Sequence, residues 1–172
     1  MQRVADIKPF SVDEPDFADL LKPLIEPGFR LALTMLQDAH AAEDAVQEAS
    51  FTAWRKLGRI RDQSRLRQWF LGVVANKCRN ARREKWRSNV ELSEELAGPS
   101  NEDSSLLGAD LRRAIANLGH DDRLVVALYF YLDMAIDEVA AVARLSPGAT
   151  RARLYRATKK LRPGLDIEEA LR

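Results

Sequence analysis

The chain has 172 residues, a formal net charge of +1, 46% hydrophobic and 31% charged side chains, a composition that suits one medium or two small globular domains. One cysteine, Cys78, and two histidines, His40 and His120, exclude an internal disulfide and a cysteine-based zinc site, and leave little for a histidine site, so no metal or cofactor is expected. No run approaches the roughly 20 apolar residues of a membrane span, and Met1 to Phe10 lacks a signal-peptide pattern, so a soluble cytoplasmic protein without membrane insertion is expected.

The near-neutral total hides blocks of opposite sign. Formal charge is −3 for residues 1–28, +7 for 29–88, −6 for 89–110 and +3 for 111–172. Basic blocks suit phosphate, whereas an acidic block is repelled by nucleic acid or occupies a groove built for it.

Apolar residues recur at helical spacing and no run alternates with period two, which predicts an all-α protein of two small helical domains joined by an acidic linker. Residues 1–16 read as a flexible N-terminal segment. Pro23 and Pro27 predict that the first helical stretch is split into two short helices. Phe29 to Gln37 is predicted helical, Asp38 suits an N-cap for a helix reaching about Leu57 before Gly58, and a long helix is predicted from Ser64 to Arg87. These elements make a domain over 17–88. Residues 89–108, with Gly98-Pro99-Ser100-Asn101 and no Lys or Arg, have linker composition. A domain over 109–165 is predicted to hold helices at Leu111 to Leu118, Asp122 to Leu132, Ile136 to Ala143 and Pro147 to Leu161, closed by Pro163-Gly164, with 166–172 as a tail.

Three helix faces carry functional content. At 100° per residue, Val46, Ala49, Ala53 and Leu57 share a core stripe, while Asp44, Glu48, Phe51 and Arg55, with Gln47 beside them, collect on the opposite side. An aromatic side chain among acids away from the core suits docking to another protein, although the same spacing fits an ordinary solvated face. In the next helix Arg65, Trp69, Gly72, Asn76, Arg79 and Arg83 form one stripe. Leu66, Phe70, Val73, Val74 and Ala81 fall on a neighbouring core face, so the stripe is expected at the core edge or in solvent. Arginines attract phosphate, an indole stacks on an unpaired base, an Asn amide reads a base edge, and Gly72 leaves room for a strand. The alternative is Trp69 packed in the core and ringed by solvating arginines. Residues 55–87 hold 12 basic and 2 acidic side chains, which favours nucleic acid.

Ser146-Pro147 is a helix start, since the hydroxyl caps free N–H groups and proline suits the first helical position. Thr150, Leu154, Ala157 and Leu161 then face inward, and Arg151, Ala152, Tyr155, Arg156 and Lys159 outward. A short helix, a tight turn and a basic helix follow helix-turn-helix order, in which the second helix enters the major groove. An ordinary amphipathic C-terminal helix is the plainer alternative.

With these residues in view, the chain resembles an extracytoplasmic-function sigma factor of bacterial RNA polymerase over about residues 17–163. Ala42-Glu43-Asp44-Ala45-Val46-Gln47-Glu48-Ala49 with Ala53-Trp54-Arg55 is similar to the family's polymerase-binding helix, and Trp69 to Asn76 to its promoter-melting helix. Val139-Ala140 through Leu145-Ser146-Pro147-Gly148-Ala149-Thr150-Arg151 to Leu161-Arg162 is similar to the domain that reads the upstream promoter element. The resemblance implies a transcription initiation factor, not an enzyme. Asp44, Gln47, Glu48, Phe51 and Arg55 would dock the clamp helices of the largest polymerase subunit. Asn76 would capture a flipped base of the minus-ten strand, with Arg65, Trp69, Arg79 and Arg83 along its path. Ala149, Arg151, Ala152, Arg153, Tyr155, Arg156 and Lys159 would meet the minus-thirty-five duplex. Core RNA polymerase, including the flap region of its second-largest subunit, promoter DNA and an anti-sigma factor are the implied partners. The acidic linker would thread into the channel toward the active site and RNA exit, and no further C-terminal sensory domain is expected.

The chain departs from the family pattern in places. Arg144 stands where a glycine is usual in the helix-turn-helix turn, costing on the order of 1 kcal/mol if that position is left-handed. Thr150 replaces a buried valine and Ala152 a serine. Two other readings remain at this point. A conventional regulator would bind a symmetric operator through the helix-turn-helix alone. A helical enzyme would need a catalytic constellation that the sequence does not offer.

Overall fold

The structure, a computed structural model, describes residues 14–56, 63–88 and 106–161. All regular structure among them is helical: α1 (Glu14–Leu36), α2 (Ala39–Lys56), a 3₁₀ turn (Gln63–Arg65) leading into α3 (Leu66–Ser88), α4 (Leu106–Ala116), α5 (His120–Val126) continuing as a π-helical segment (Ala127–Tyr131), α6 (Ile136–Ala143) and α7 (Pro147–Leu161). Gly58, residues 89–105 of the expected linker, Pro163-Gly164 and the expected tail lie outside the described residues. No helix among them is long and apolar enough to cross a membrane.

The helix ends follow local chemistry. Asp38 caps α2 as expected, its Oδ1 accepting from the Ala41 N–H at 3.0 Å. Gln37, at φ 58°, makes the left-handed turn between α1 and α2, the usual way a helix ends before a sharp reversal. The expectation of two short helices around Pro23 and Pro27 is corrected, because one helix runs through both. A proline inside a helix costs about 3 kcal/mol. Here Pro23 is exposed, so the carbonyl left without a donor is open to water, while Leu21, Leu24, Leu31 and Met35 on the opposite side of the same helix are buried. That burial, at about 1.5–3 kcal/mol for each large side chain, outweighs the interruption. The helix also starts at Glu14, inside the segment expected to be flexible, and α4 starts at Leu106, inside the expected linker.

α1, α2 and α3 pack around Leu31, Met35, Phe70, Leu71 and Val74, all essentially inaccessible. Gly28 sets how closely α1 meets α3, since a Cβ there would lie 3.0 Å from Phe70 Cε1 and 3.4 Å from Val74 Cγ2. The C-terminal unit buries Leu124, Val125, Leu128, Val139, Thr150 and Leu154. The single helix expected over Asp122 to Leu132 begins earlier, at His120, and widens at Ala127, where the Leu132 N–H reaches the Ala127 carbonyl at 2.9 Å. The wider turn takes up an additional residue. It keeps Leu128 and Leu132 buried and leaves Phe130 and Tyr131 exposed.

The two units pack against each other, α3 on α6 and α1 on α5. Guanidinium groups make the polar part of this join. Arg67 donates to the Leu132 carbonyl at 2.6 Å, Arg123 to the Met35 carbonyl at 3.1 Å and Arg79 to the Ala143 carbonyl at 3.4 Å. Met35 is in the last turn of α1, Ala143 ends α6 and Leu132 caps the π-helical segment. All three acceptors are therefore carbonyls at helix C-termini, which lack intrahelical donors and carry the negative end of the helix dipole. Arg30 of α1 adds a hydrogen bond to the Tyr131 hydroxyl and lies over its ring, 5.5 Å from the centroid. Arg67→Ala removes a charge-assisted hydrogen bond worth about 1.5–3 kcal/mol; it is expected to leave helix content unchanged and to raise the radius of gyration measured by small-angle scattering.

Candidate nucleic-acid interface

Burial of Ala42, Ala45, Val46, Ala49 and Ala53 turns the other side of α2 to solvent. Asp44, Gln47, Glu48, Phe51 and Arg55 are all exposed there, as the spacing predicts. Leu57 lies outside the described residues. Arg55 sits over the Phe51 ring, 5.8 Å from its centroid. Trp54, quoted in the polymerase-binding resemblance but left out of the face read from spacing, belongs to it: it is 55% exposed beside the 57% exposed Phe51, with ring centroids 5.9 Å apart. Its position three residues after Phe51 was the available signal, because such pairs adjoin on a helix surface. Two large exposed aromatic rings amid charges make a surface suited to a protein partner. Glu48 also binds Lys77 of α3 at 2.9 Å, tying this face to the next helix.

On α3 the stripe exists, but not in open solvent. Arg65 and Arg83 are exposed, whereas Trp69, Asn76 and Arg79 are half-buried. Leu66, Phe70 and Val74 are buried as expected, and Val73 and Trp69 pack partly against the same core. Trp69 thus combines the two alternatives, with one edge in the core and the other on the stripe. The stripe lines a cleft of about 1160 Å³ in which Arg65, Trp69, Gly72 and Asn76 of α3 and its lead-in face Ala141, Val142 and Arg144 across the gap, with Arg55 of α2 at one side. A Cβ at Gly72 would touch nothing within 4 Å, so space remains in front of it. The end of α6 and the helix-turn-helix turn therefore face this stripe across the cleft. Burial, with the nearby Arg144 charge, lowers the pKa of Arg79, against the opposing pull of Asp121.

The helix-turn-helix is built as its sequence predicts. The Glu138 carboxylate accepts from the Ala135 N–H at 2.9 Å at the start of α6. Ser146 caps α7, its Oγ accepting from the Ala149 N–H at 3.1 Å. Thr150 is fully buried and donates to the Ser146 carbonyl at 3.0 Å, which satisfies the hydroxyl that replaces a valine. Arg144 is left-handed, at φ 59° and ψ 45°, and the Leu145 N–H closes the turn on the Ala140 carbonyl at 2.9 Å. Ala149, Arg151, Ala152, Arg156 and Lys159 are exposed along α7, with Tyr155 69% exposed among them. Arg153, named with them for the upstream duplex, is engaged within the chain. It lies half-buried between Asp121 and Asp122, 3.5 Å from each, and Lys160 joins Asp122 at 2.7 Å. The α5 carboxylates thus pair with the half-buried Arg153 and the exposed Lys160 of α7.

Two buried titratable groups lie behind these faces. Cys78 is inaccessible on α3 and burial pushes its thiol up to about 12, which leaves no thiolate near neutral pH. His120 is lowered from 6.5 to about 4, first by burial, then by the charges of Arg82 and Arg123, with Asp121 opposing. Among the described residues no group of three or more His, Cys, Asp or Glu could hold a metal.

A capped turn between two short helices, the second with a free basic face, beside a second basic helix with an aromatic and an amide in line, defines a helix-turn-helix DNA-binding protein. Residues 21–88 match the family model for sigma-70 region 2 and residues 109–161 that for sigma-70 region 4. The chain is 31% identical to the RNA polymerase sigma factor CarQ of Myxococcus xanthus over 74% of this chain and 76% of the relative, and belongs to the sigma-70 family as a factor of the extracytoplasmic-function type. It is also 29% identical to the extracytoplasmic-function sigma factor SigL of Mycobacterium tuberculosis, over 78% of this chain and 80% of that protein. Its fold is similar to that of the sigma factor RpoE in complex with the anti-sigma factor NepR from Bartonella quintana, with a TM-score of 0.77, 24% identity and coverage of 89% of this chain and 98% of that one. As a sigma factor it directs RNA polymerase to promoters in transcription initiation and is not an enzyme.

Relief of the strained turn should be measurable. Arg144→Gly is expected to raise the unfolding free energy by about 0.5–1 kcal/mol in a urea titration, net of the greater freedom of glycine in the unfolded chain. The buried imidazole gives a pH dependence of known sign. Between pH 6.5 and about 4 the unfolded state binds a proton at His120 that the folded state does not, so stability is complete above 6.5 and falls as the pH drops. Lowering the pH from 7.5 to 5 should cost the native chain about 2 kcal/mol more than His120→Leu in parallel urea titrations.

Proposed function

We propose that the three faces divide the work of initiation: α2 docks on polymerase, α3 opens the minus-ten region, and α7 reads the minus-thirty-five duplex. The observation that carries this reading is the continuity of the first two faces, since Arg55 of α2 lines the same cleft as Arg65, Trp69 and Asn76. A strand opened against polymerase would pass directly from one to the other. In this reading Asp44, Gln47, Glu48, Phe51 and Arg55, joined by Trp54, meet the clamp helices of the largest subunit. Asn76 captures a flipped base, and Arg65, Trp69, Arg79 and Arg83 hold its strand. Extruding a base costs a few kcal/mol, and stacking returns about 1–3 kcal/mol per base. Ala149, Arg151, Ala152, Tyr155, Arg156 and Lys159 meet the upstream duplex, with Arg153 as their support.

Residues 17–88 and 109–165 act as the two working domains, and the acidic segment between them follows a basic channel of the polymerase. The same exposed surfaces suit an anti-sigma partner, a reading supported by the sigma factor of similar fold solved with NepR. The α2 face is open while Trp69, Asn76 and Arg79 in the middle of the α3 stripe are half-buried beside α6, which supports an order of events: polymerase docks first and promoter DNA binds once the halves part. The flap region of the second-largest subunit is the natural anchor for the released C-terminal domain.

The reading is tested by run-off transcription with purified core polymerase on promoter fragments carrying both elements. Asn76→Ala is expected to reduce open-complex formation while leaving core binding nearly intact, and equal loss of both would remove it from base capture. Arg156→Ala is expected to lose upstream recognition yet retain initiation on a template already melted at the minus-ten element; loss on the melted template would overturn the division of labour.

A further inference from the structure

A second cleft, of about 680 Å³, lies between the C-terminal half of α3 and the helix-turn-helix turn. Its charge is one-sided. Arg79, Arg82, Arg83 and Arg87 reach it from α3 and Arg144 from the turn, while Asp121 is the one carboxylate among its lining residues. That carboxylate is already held by Arg153 at 3.5 Å. Guanidinium groups stay protonated, so closing the chain gathers five cations at a join between its halves. Such a gathering is repulsive until a polyanion neutralises it.

Two further features are not explained by the promoter-binding faces. His120 lines the same cleft with its side chain only 3% exposed, and its buried Nε2 has no hydrogen-bond partner. Its Nδ1 stands 3.9 Å from Asp121, beyond hydrogen-bond reach. A buried polar atom left unsatisfied is costly, and this one lies in the wall of the cleft. Trp86 also lines the cleft, 77% exposed, with no aromatic ring packed on it among the described residues. An exposed indole beside a cluster of guanidiniums offers a base platform next to phosphate sites. The cleft volume is that of a small-molecule site, and because its walls come from both halves, it exists only in the closed arrangement.

We propose that this cleft binds a nucleotide carrying two or more phosphates, with the phosphates on Arg79, Arg82 and Arg144, the base against Trp86, and the ligand holding the two halves together. A ligand that bridges both walls binds only the closed form and so shifts the population toward it. Because Asn76, Arg79 and Arg83 also line this cleft, the nucleotide would compete with the minus-ten strand; that consequence alone rests on the promoter reading above.

The test uses the full chain without polymerase, titrated by calorimetry with ATP or with inorganic tripolyphosphate in magnesium-free buffer at physiological salt, alongside small-angle scattering. Saturable one-to-one binding of ATP is expected, tighter than tripolyphosphate, and ATP should restore the compact radius of gyration to Arg67→Ala. Arg144→Gly, which relieves backbone strain while removing one wall's cation, and Arg82→Ser should each weaken ATP by about tenfold, an ordinary loss for one charge-assisted contact. Trp86→Leu should bring ATP down to the affinity of tripolyphosphate. Absence of saturable binding below about 1 mM, or ATP affinity unchanged in Arg144→Gly, overturns the bridging site, and equal binding of ATP and tripolyphosphate by the native chain overturns the nucleotide. None of these readouts involves promoter or polymerase, so their failure leaves the promoter reading standing.

Discussion

The arrangement of the molecule depends on guanidinium groups from one half meeting the carbonyl ends of helices in the other. A helix C-terminus carries unpaired acceptors and partial negative charge, and it must be served by water, by a cap or by a cation. Here α1 ends on Arg123, α6 on Arg79 and the π-helical segment on Arg67. Donors travel in both directions across the join, since Arg123 comes from the C-terminal half and the other two from α3. Each contact exchanges hydration for a charge-assisted bond, a modest net gain that water can reclaim when the halves part.

The distribution of carboxylates sharpens the faces. Asp121 and Asp122 draw Arg153 and Lys160 onto α5, so the cations left at the outer side of α7 are those without an internal claim. Glu48 performs the same sorting on Lys77 beside α2. Surface ion pairs of this sort add little stability. Their effect lies in which positive charges remain available to phosphate.

Much of this was legible in sequence because it is local. The Asp38 and Ser146 caps, the limits of α6 and α7 and the Val46, Ala49 and Ala53 part of the α2 core stripe are each settled by neighbours within about five residues. What was not legible depends on distant partners. Pro23 and Pro27 argue for a break, and only the burial of Leu24, Leu31 and Met35 against α3 decides otherwise. The π-helical widening after Val126 reconciles two buried leucines with an added residue, a matter of tertiary fit. Nothing near Arg153 in sequence shows the two carboxylates that α5 brings to it. The contact of Arg79 with the Ala143 carbonyl belongs to the α3–α6 join, and linker composition carries no information about how two domains meet.

Cys78 gives the chain a practical property. It is the only cysteine in the sequence, it is inaccessible, and its thiol stays protonated at any pH used for labelling. Thiol reagents attack the thiolate, so the native chain is chemically silent toward them while folded. A reporter pair placed by substitution on the outer sides of α2 and α7 would carry the only reactive sulfurs. The spacing of α2 and α7 can therefore be followed by dye or spin label without first removing a native residue from the core.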